Sequence, residues 1–261
     1  MSTLPRLFLD SDLSADVTVE IVGNPAHYLS RVMRLGSGDK FRSFNGRDGE
    51  WLLEIKGGNQ KRLECRATEQ LRAQPAPVAT APDLMFAPLK KTRTDFVVEK
   101  AAEMGAGRIL PVITERTQTK TVRADRLESL VIEASEQTER MDVPEVLDAQ
   151  SLKAAVNNYP GRIFFCDEAG DSAHEVWGGL NGRAEGFATQ NLDSSEKSSI
   201  ALLVGPEGGF SPDERAWLRS LDFVTPVTLG PRILRAETAV VAALTIWQAL
   251  AGDWRQSPRE L

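Results

Sequence analysis

The run Ile200-Ala201-Leu202-Leu203-Val204 is apolar without interruption and has the length of a strand. A strand with one wet face alternates polar and apolar residues. An unbroken run predicts a strand covered on both faces, as in a parallel sheet flanked by helices. It leads into Gly205-Pro206-Glu207-Gly208-Gly209-Phe210, a turn whose glycines let the backbone approach a ligand where a side chain would block it. Ser211-Pro212-Asp213-Glu214 then starts a helix: Ser211 caps, Pro212 suits the first helical position, and Glu214 is placed to reach back as the partner in a capping box.

The pattern repeats. Phe223 to Leu229 reads as a second strand, with Pro226 out of place in its middle, and runs into Gly230-Pro231-Arg232-Ile233-Leu234-Arg235. Ala236 to Leu250 follows as a helix with apolar residues around nearly its whole circumference, which predicts burial on all sides and a subunit interface as well as a core. Two glycine-bearing turns at the carboxyl ends of neighbouring parallel strands are expected to form one crevice, where open α/β sheets bind ligands. Glu207, Arg232, Arg235 and Glu237 stand around it.

The first part of the chain reads differently. Residues 1–72 break into short strands at Arg6–Leu9, Val17–Val22, Lys40–Phe44, Trp51–Ile55 and Arg62–Arg66. Asn45-Gly46, Asp48-Gly49 and Gly57-Gly58 serve as turns, and the whole predicts a small β-barrel. A helix expected from Pro25 to Leu35 puts Arg31 and Arg34 on one face, the ordinary pattern of a solvated surface, with an RNA contact as the alternative. The proline-rich stretch 73–82 reads as an extended linker. Residues 83–261 then alternate strands (Leu84–Leu89, Arg108–Ile113, Arg162–Cys166) with helices (one preceded by Lys90, Lys91 and Arg93 and running through Met104, then Ala124–Met141 and Ser151–Tyr159), the pattern of a parallel sheet with right-handed crossovers. The polar stretch from Gly178 to Ser198 reads as a surface loop.

Several chemistries lack their residues. Cys65 and Cys166, like His27 and His174, are isolated from one another, so neither a disulfide framework nor a metal centre is expected. No Gly-x-Gly-x-x-Gly, no Gly-Lys-Ser/Thr and no nucleophile elbow with a histidine partner occurs. The net charge of −6 permits an RNA partner only through local basic patches. With neither a signal segment nor a run of membrane length, a cytoplasmic protein is expected. The crevice suits an uncharged or zwitterionic ligand held mainly by backbone groups. A nucleotide-handling doubly wound enzyme and a non-catalytic RNA-binding dimer remain alternatives at this point.

The pair Gly205-Pro206-Glu207-Gly208-Gly209-Phe210-Ser211 and Leu229-Gly230-Pro231-Arg232-Ile233-Leu234-Arg235-Ala236-Glu237-Thr238-Ala239 resembles the signature of the small-subunit rRNA (uracil-N3)-methyltransferase family, of the SPOUT class. His27 with Arg31-Val32-Met33-Arg34, Lys100 to Gly105, Glu115-Arg116 and Glu133 to Gln137 resemble its upstream motifs. The resemblance implies a PUA-like β-barrel at 1–72 and an α/β SPOUT domain with a trefoil knot at 83–261. It also implies a homodimer acting on small-subunit rRNA or on the assembled 30S particle.

S-adenosylmethionine (SAM) is the implied cofactor, held by Glu168, Val204, Gly205, Pro206, Glu207, Gly208, Gly209, Leu229, Gly230, Ile233 and Leu234. The implied reaction methylates N3 of a uridine, so charge developing on the uracil oxygens needs a cation. Arg235 is the first candidate because it lies within the second turn, with Arg6 as a weaker one for holding base or phosphate. Arg6, Arg31, Arg34, Lys90 and Arg93 are the expected RNA contacts, and the carboxylate of Glu237 is expected to cage the turn.

Overall fold

The structure, a computed structural model, describes residues 4–76, 81–179 and 200–255. Residues 77–80 of the expected linker and the stretch 180–199, which holds most of the expected polar loop, lie outside the described residues. The chain divides into two compact units, residues 1–77 with 135–143, and residues 78–134 with 144–261.

The N-terminal unit is built on β1 (Arg6–Phe8), β2 (Thr18–Val22), β3 (Lys40–Phe44), β4 (Glu50–Asn59) and β5 (Arg62–Arg72). They form one five-stranded sheet in the order β1-β3-β4-β5-β2. All pairings are antiparallel except β1 with β3. Strand β2 alternates exposed and buried residues, and Val19 and Ile21 join Phe41, Leu53, Ile55, Leu63 and Cys65 in the core. Gly57 and Gly58 do not turn the chain as expected. They continue β4 beyond a register shift, and the hairpin reverses at Gln60-Lys61.

The helix expected at 25–35 is also different. Helix α1 spans only Asn24–His27, a single wider π-turn covers Tyr28–Val32, and Arg34 lies beyond it at φ 57°.

The second unit is a parallel sheet. Its strands are β6 (Asp83–Phe86), β7 (Arg108–Ile113), β8 (Glu145–Val146), β9 (Gln150–Ser151), β10 (Arg162–Ser172), β11 (Ile200–Val204) and β12 (Val224–Thr228). The order is β12-β10-β11-β6-β7-β8, with β9 on β7, and every pairing is parallel. All five residues of β11 are buried, as its apolar run requires. Pro226 is tolerated because β12 is an edge strand, where one row of N–H groups has no ladder partner to lose.

The helices of this unit are α2 (Lys91–Glu103), α3 (Ala124–Gln137), α4 (Leu152–Asn157), α5 (Ala173–Gly178), α6 (Pro212–Arg219) and α7 (Ala236–Leu250). They cover both sheet faces. Leu152, Val156 and Leu218 pack with Met85, Phe165 and Leu203, while on the alternate positions Phe164 meets Trp177 and Trp247, with ring centroids 5.8 and 5.9 Å away. Helix α3 stops at Gln137, four residues short of the expected end, and the chain passes through Glu139 at φ 58°. Residues 135–143, which the sequence places in a helix of the second unit, belong to the first.

Helix α7 is not covered all round in the single chain. Ala239, Val240, Ala243, Leu244 and Trp247 are buried, whereas Val241, Ala242, Thr245 and Ile246 are only half-buried. Among the described residues no helix is long and apolar enough to cross a membrane.

Candidate functional site

Local chemistry sets the first turn. Ser211 Oγ accepts from Glu214 N at 3.2 Å and Glu214 Oε2 accepts from Ser211 N at 2.9 Å, so the expected capping box starts α6. The other oxygen of Glu214 accepts from Glu115 N at 2.8 Å, and Arg116 donates to the Gly208 carbonyl at 2.9 Å. The loop after β7 is thereby tied to the turn after β11. Gly209 at φ +65° and Gly230 at φ +117° take left-handed conformations that side chains disfavour, one in each turn.

The two turns open onto one cleft of about 350 Å³, within the range of small-molecule sites. Their strands are not neighbours, contrary to expectation: β10 lies between β11 and β12. Its middle, where the pairing with β12 shifts register between Cys166 and Asp171, supplies Cys166, Asp167 and Glu168 to the wall, which is why Glu168 reaches the site. Each of the eleven residues expected to hold the cofactor lines this cleft.

Asp167, a wall residue that sequence reasoning missed, is nearly fully buried and accepts from Arg215 Nη2 at 2.5 Å and Arg219 Nη2 at 2.8 Å. Burial alone would push its carboxyl up. The hydrogen bonds from Arg219, Ala169 N and Arg215 outweigh burial and hold it below the usual carboxylate range. Arg215 and Arg219 repeat at four residues along α6, the one sequence signal that they address a common partner. Burial and the neighbouring Asp167 push the Cys166 thiol up to about 12, so it stays neutral and is no nucleophile.

The other expected site residues separate. Arg6 is 7% exposed, and its guanidinium donates to Glu50 Oε1 at 2.5 Å, Ser135 O at 2.9 Å and Arg140 O at 2.6 Å, over the Phe44 ring. With its donors taken, Arg6 cannot hold a base or a phosphate. The expected catalytic and RNA-binding roles are corrected to a structural one.

Arg93 is likewise committed, pairing with Glu207 and lying 3.6 Å from Glu237 Oε1, so its guanidinium is held in the protein rather than offered to RNA. The bridge brings Glu237 to the turn, while Glu237 Oε2 is buried without a hydrogen-bond partner. Lys90 is exposed just before α2 and lines a recess of about 10 Å³ with Arg116, Gln118 and Glu207. Arg31 and Arg34 are exposed but share no helix face, because the helix ends before Arg34. Arg235 is exposed at the cap position of α7 and lies outside the cleft lining, whereas Arg232 is part of it. That placement does not support the charge-stabilising role expected of Arg235.

Residues 76–248 match the family described as an RNA methyltransferase domain, and residues 23–68 match the RNA methyltransferase PUA domain. The ribosomal RNA small subunit methyltransferase E of Rickettsia conorii is 32% identical over 240 residues, 92% of this chain and 93% of that protein.

Among solved structures, the ribosomal RNA small subunit methyltransferase E from Neisseria gonorrhoeae bound to S-adenosyl methionine is 27% identical with a TM-score of 0.77, covering 96% of this chain and 99% of that one. A Legionella pneumophila methyltransferase in complex with SAM has a TM-score of 0.77 at 25% identity, covering 95% and 98%. The chain belongs to the ribosomal RNA small subunit methyltransferase E family.

Proposed function

We propose that this protein methylates N3 of a uridine in small-subunit rRNA, taking the methyl group from SAM. The observation that carries the proposal is the single cleft shared by the Gly205–Gly209 and Leu229–Leu234 turns, in a chain of this family. The lining fits such a cofactor. Val204, Leu229, Leu234, Ala236 and Ala239 offer an apolar seat for a flat base, and Glu168, exposed and 3.4 Å from Arg215, offers negative charge to a sulfonium or an ammonium group. When bound, SAM supplies an electrophilic methyl carbon.

The chain supplies position and charge. Glycine turns hold the donor through backbone groups, Glu207 is fixed by Arg93, and the Gly208 carbonyl is fixed by Arg116. The advantage is mainly one of orientation, since an in-line transfer between two held reactants needs no covalent enzyme intermediate. The uracil must present its pairing edge, so it is read unpaired or turned out of its stack. Arg31, Arg34 and Lys90, exposed and with no ion pair among the described residues, are the RNA contacts of this reading.

The reading includes a trefoil knot in the second unit and a homodimer whose interface takes the half-buried face of α7, with Val241, Ala242 and Ile246. It also includes action in the cytoplasm, on rRNA or the assembled 30S particle. Labelled SAM and small-subunit RNA from cells lacking the protein test it. Label is expected in a 3-methyluridine found by mass spectrometry of the digested RNA, and its absence with both free RNA and particles refutes the proposal.

A further inference from the structure

Six charged side chains line the cleft: Arg116, Asp167, Glu168, Glu207, Arg215 and Arg232. Five of them are engaged. Arg116 donates to Gly208 O, Arg215 binds Asp167 at 2.5 Å and Glu168 at 3.4 Å, and Glu207 pairs with Arg93. Arg232 is exposed and, among the described residues, has neither a hydrogen bond nor an ion pair. It follows Gly230 and Pro231 in the second turn, so its backbone is held by a ring-locked neighbour while its side chain is free.

In the empty cleft water solvates the exposed Arg232 guanidinium, and in the donor-loaded cleft it faces a like charge. The arrangement becomes favourable when a negative group arrives with the substrate. Uracil provides one: as N3 loses its proton, charge spreads to the two flanking carbonyl oxygens, and a guanidinium can donate N–H groups to one of them from the side.

We infer that Arg232 is a catalytic residue that donates to one of the two carbonyl oxygens flanking N3 of the target uracil, leaving N3 itself open to the methyl carbon, and so raises the fraction of uridine ionised in the cleft. This rests on the methyl-transfer reading above. The N3 proton passes to solvent. The electron pair left on N3 then forms the bond to the methyl carbon as the carbon–sulfur bond breaks, and that bond's electrons remain on sulfur. Positive charge is lost from the donor and negative charge from the uracil, and Arg232 is released unchanged.

The test compares wild type with Arg232→Ala and Arg232→Lys on small-subunit particles lacking the modification, at saturating SAM, from neutral to alkaline pH. Removing one charge-stabilising donor predicts a fall of about 100-fold in kcat at neutral pH for Arg232→Ala. The Lys variant is expected between the two, because it keeps the charge and loses the fork. The deficit of the Ala variant must shrink as pH rises toward the pKa of free uridine N3–H, where ionisation no longer needs help; a merely structural loss would persist at every pH.

SAM Kd by calorimetry is expected to stay within about threefold, the size of a remote charge effect at a wet site. A weakened SAM Kd with unchanged kcat overturns the inference and assigns Arg232 to the cofactor carboxylate. A deficit constant with pH also overturns it, as does an unaffected Ala variant beside an active wild type. A wild type that transfers no methyl to N3 overturns the functional reading itself.

Discussion

Arg6 and Arg232 invite a direct comparison. Arg6, in the N-terminal unit, is buried against Glu50, two backbone carbonyls and the Phe44 ring, whereas Arg232, on the cleft of the second unit, is exposed and unpartnered. Arg6 opens the short strand β1 and Arg232 follows the short strand β12, and composition cannot tell them apart. The difference lies in what surrounds the guanidinium. A planar cation with every donor taken holds structure together, and one with donors free at a ligand site is available for chemistry.

The comparison breaks first at Arg6. Arg6→Ala leaves Glu50 buried with Arg72 as its remaining close partner, and breaking a buried pair from one side typically costs about 3–5 kcal/mol. Urea unfolding followed by tryptophan fluorescence should show a loss of that order, whereas Arg232→Ala should change stability by less than about 0.5 kcal/mol. A loss under about 1 kcal/mol for Arg6→Ala would place the two arginines in one class.

Acid gives the next largest effect. Burial raises the Glu50 pKa, but hydrogen bonds from Arg72 and Arg6 more than reverse this and bring it below the ordinary value of 4.5. A depressed carboxyl stabilises the fold fully above 4.5 and loses that contribution as pH falls through the lower folded value. Glu50→Gln should therefore flatten the acid side of a stability–pH curve below pH 4.5; an unchanged slope would deny Glu50 its role.

Two smaller effects sharpen the contrast within the second unit. Ser211→Ala removes a cap and should lower stability by about 1 kcal/mol in thermal or urea melts, with Glu214 left to reach back alone. Arg116→Ala removes an exposed charge-assisted bond to Gly208 O. Solvent screening limits that bond to roughly 0.5–1 kcal/mol, so SAM Kd should weaken about three- to fivefold by calorimetry while kcat holds.

What the sequence revealed was local. The apolar run of β11, the capping box of α6, and the extents Arg108–Ile113 and Ala236–Leu250 depend on neighbours within a few positions, and all appear as read. The two glycine turns were legible for the same reason, while the eleven residues expected around the cofactor came from the family resemblance, and all of them line the cleft. Pairings between distant segments were not. Nothing near Arg93 announces Glu207, 114 residues away, and nothing in β10 says that it inserts between β11 and β12. Asp167 was hidden because its partners Arg215 and Arg219 meet it only across the folded sheet end. The end of α3 was misplaced because helix-forming residues continue to Met141, while Phe8 N takes Glu136 Oε1 at 2.9 Å and Arg6 takes the carbonyls of Ser135 and Arg140.

That last feature bears on modularity. The acceptors for Arg6 come from residues 135–143, far past the proline-rich stretch that looks like a natural place to cut. A polypeptide severed there would bring a buried guanidinium to its fold with Glu50 but without two of its carbonyl acceptors. The N-terminal unit is therefore no detachable cassette, and transplanting it into another protein means moving two pieces of chain together.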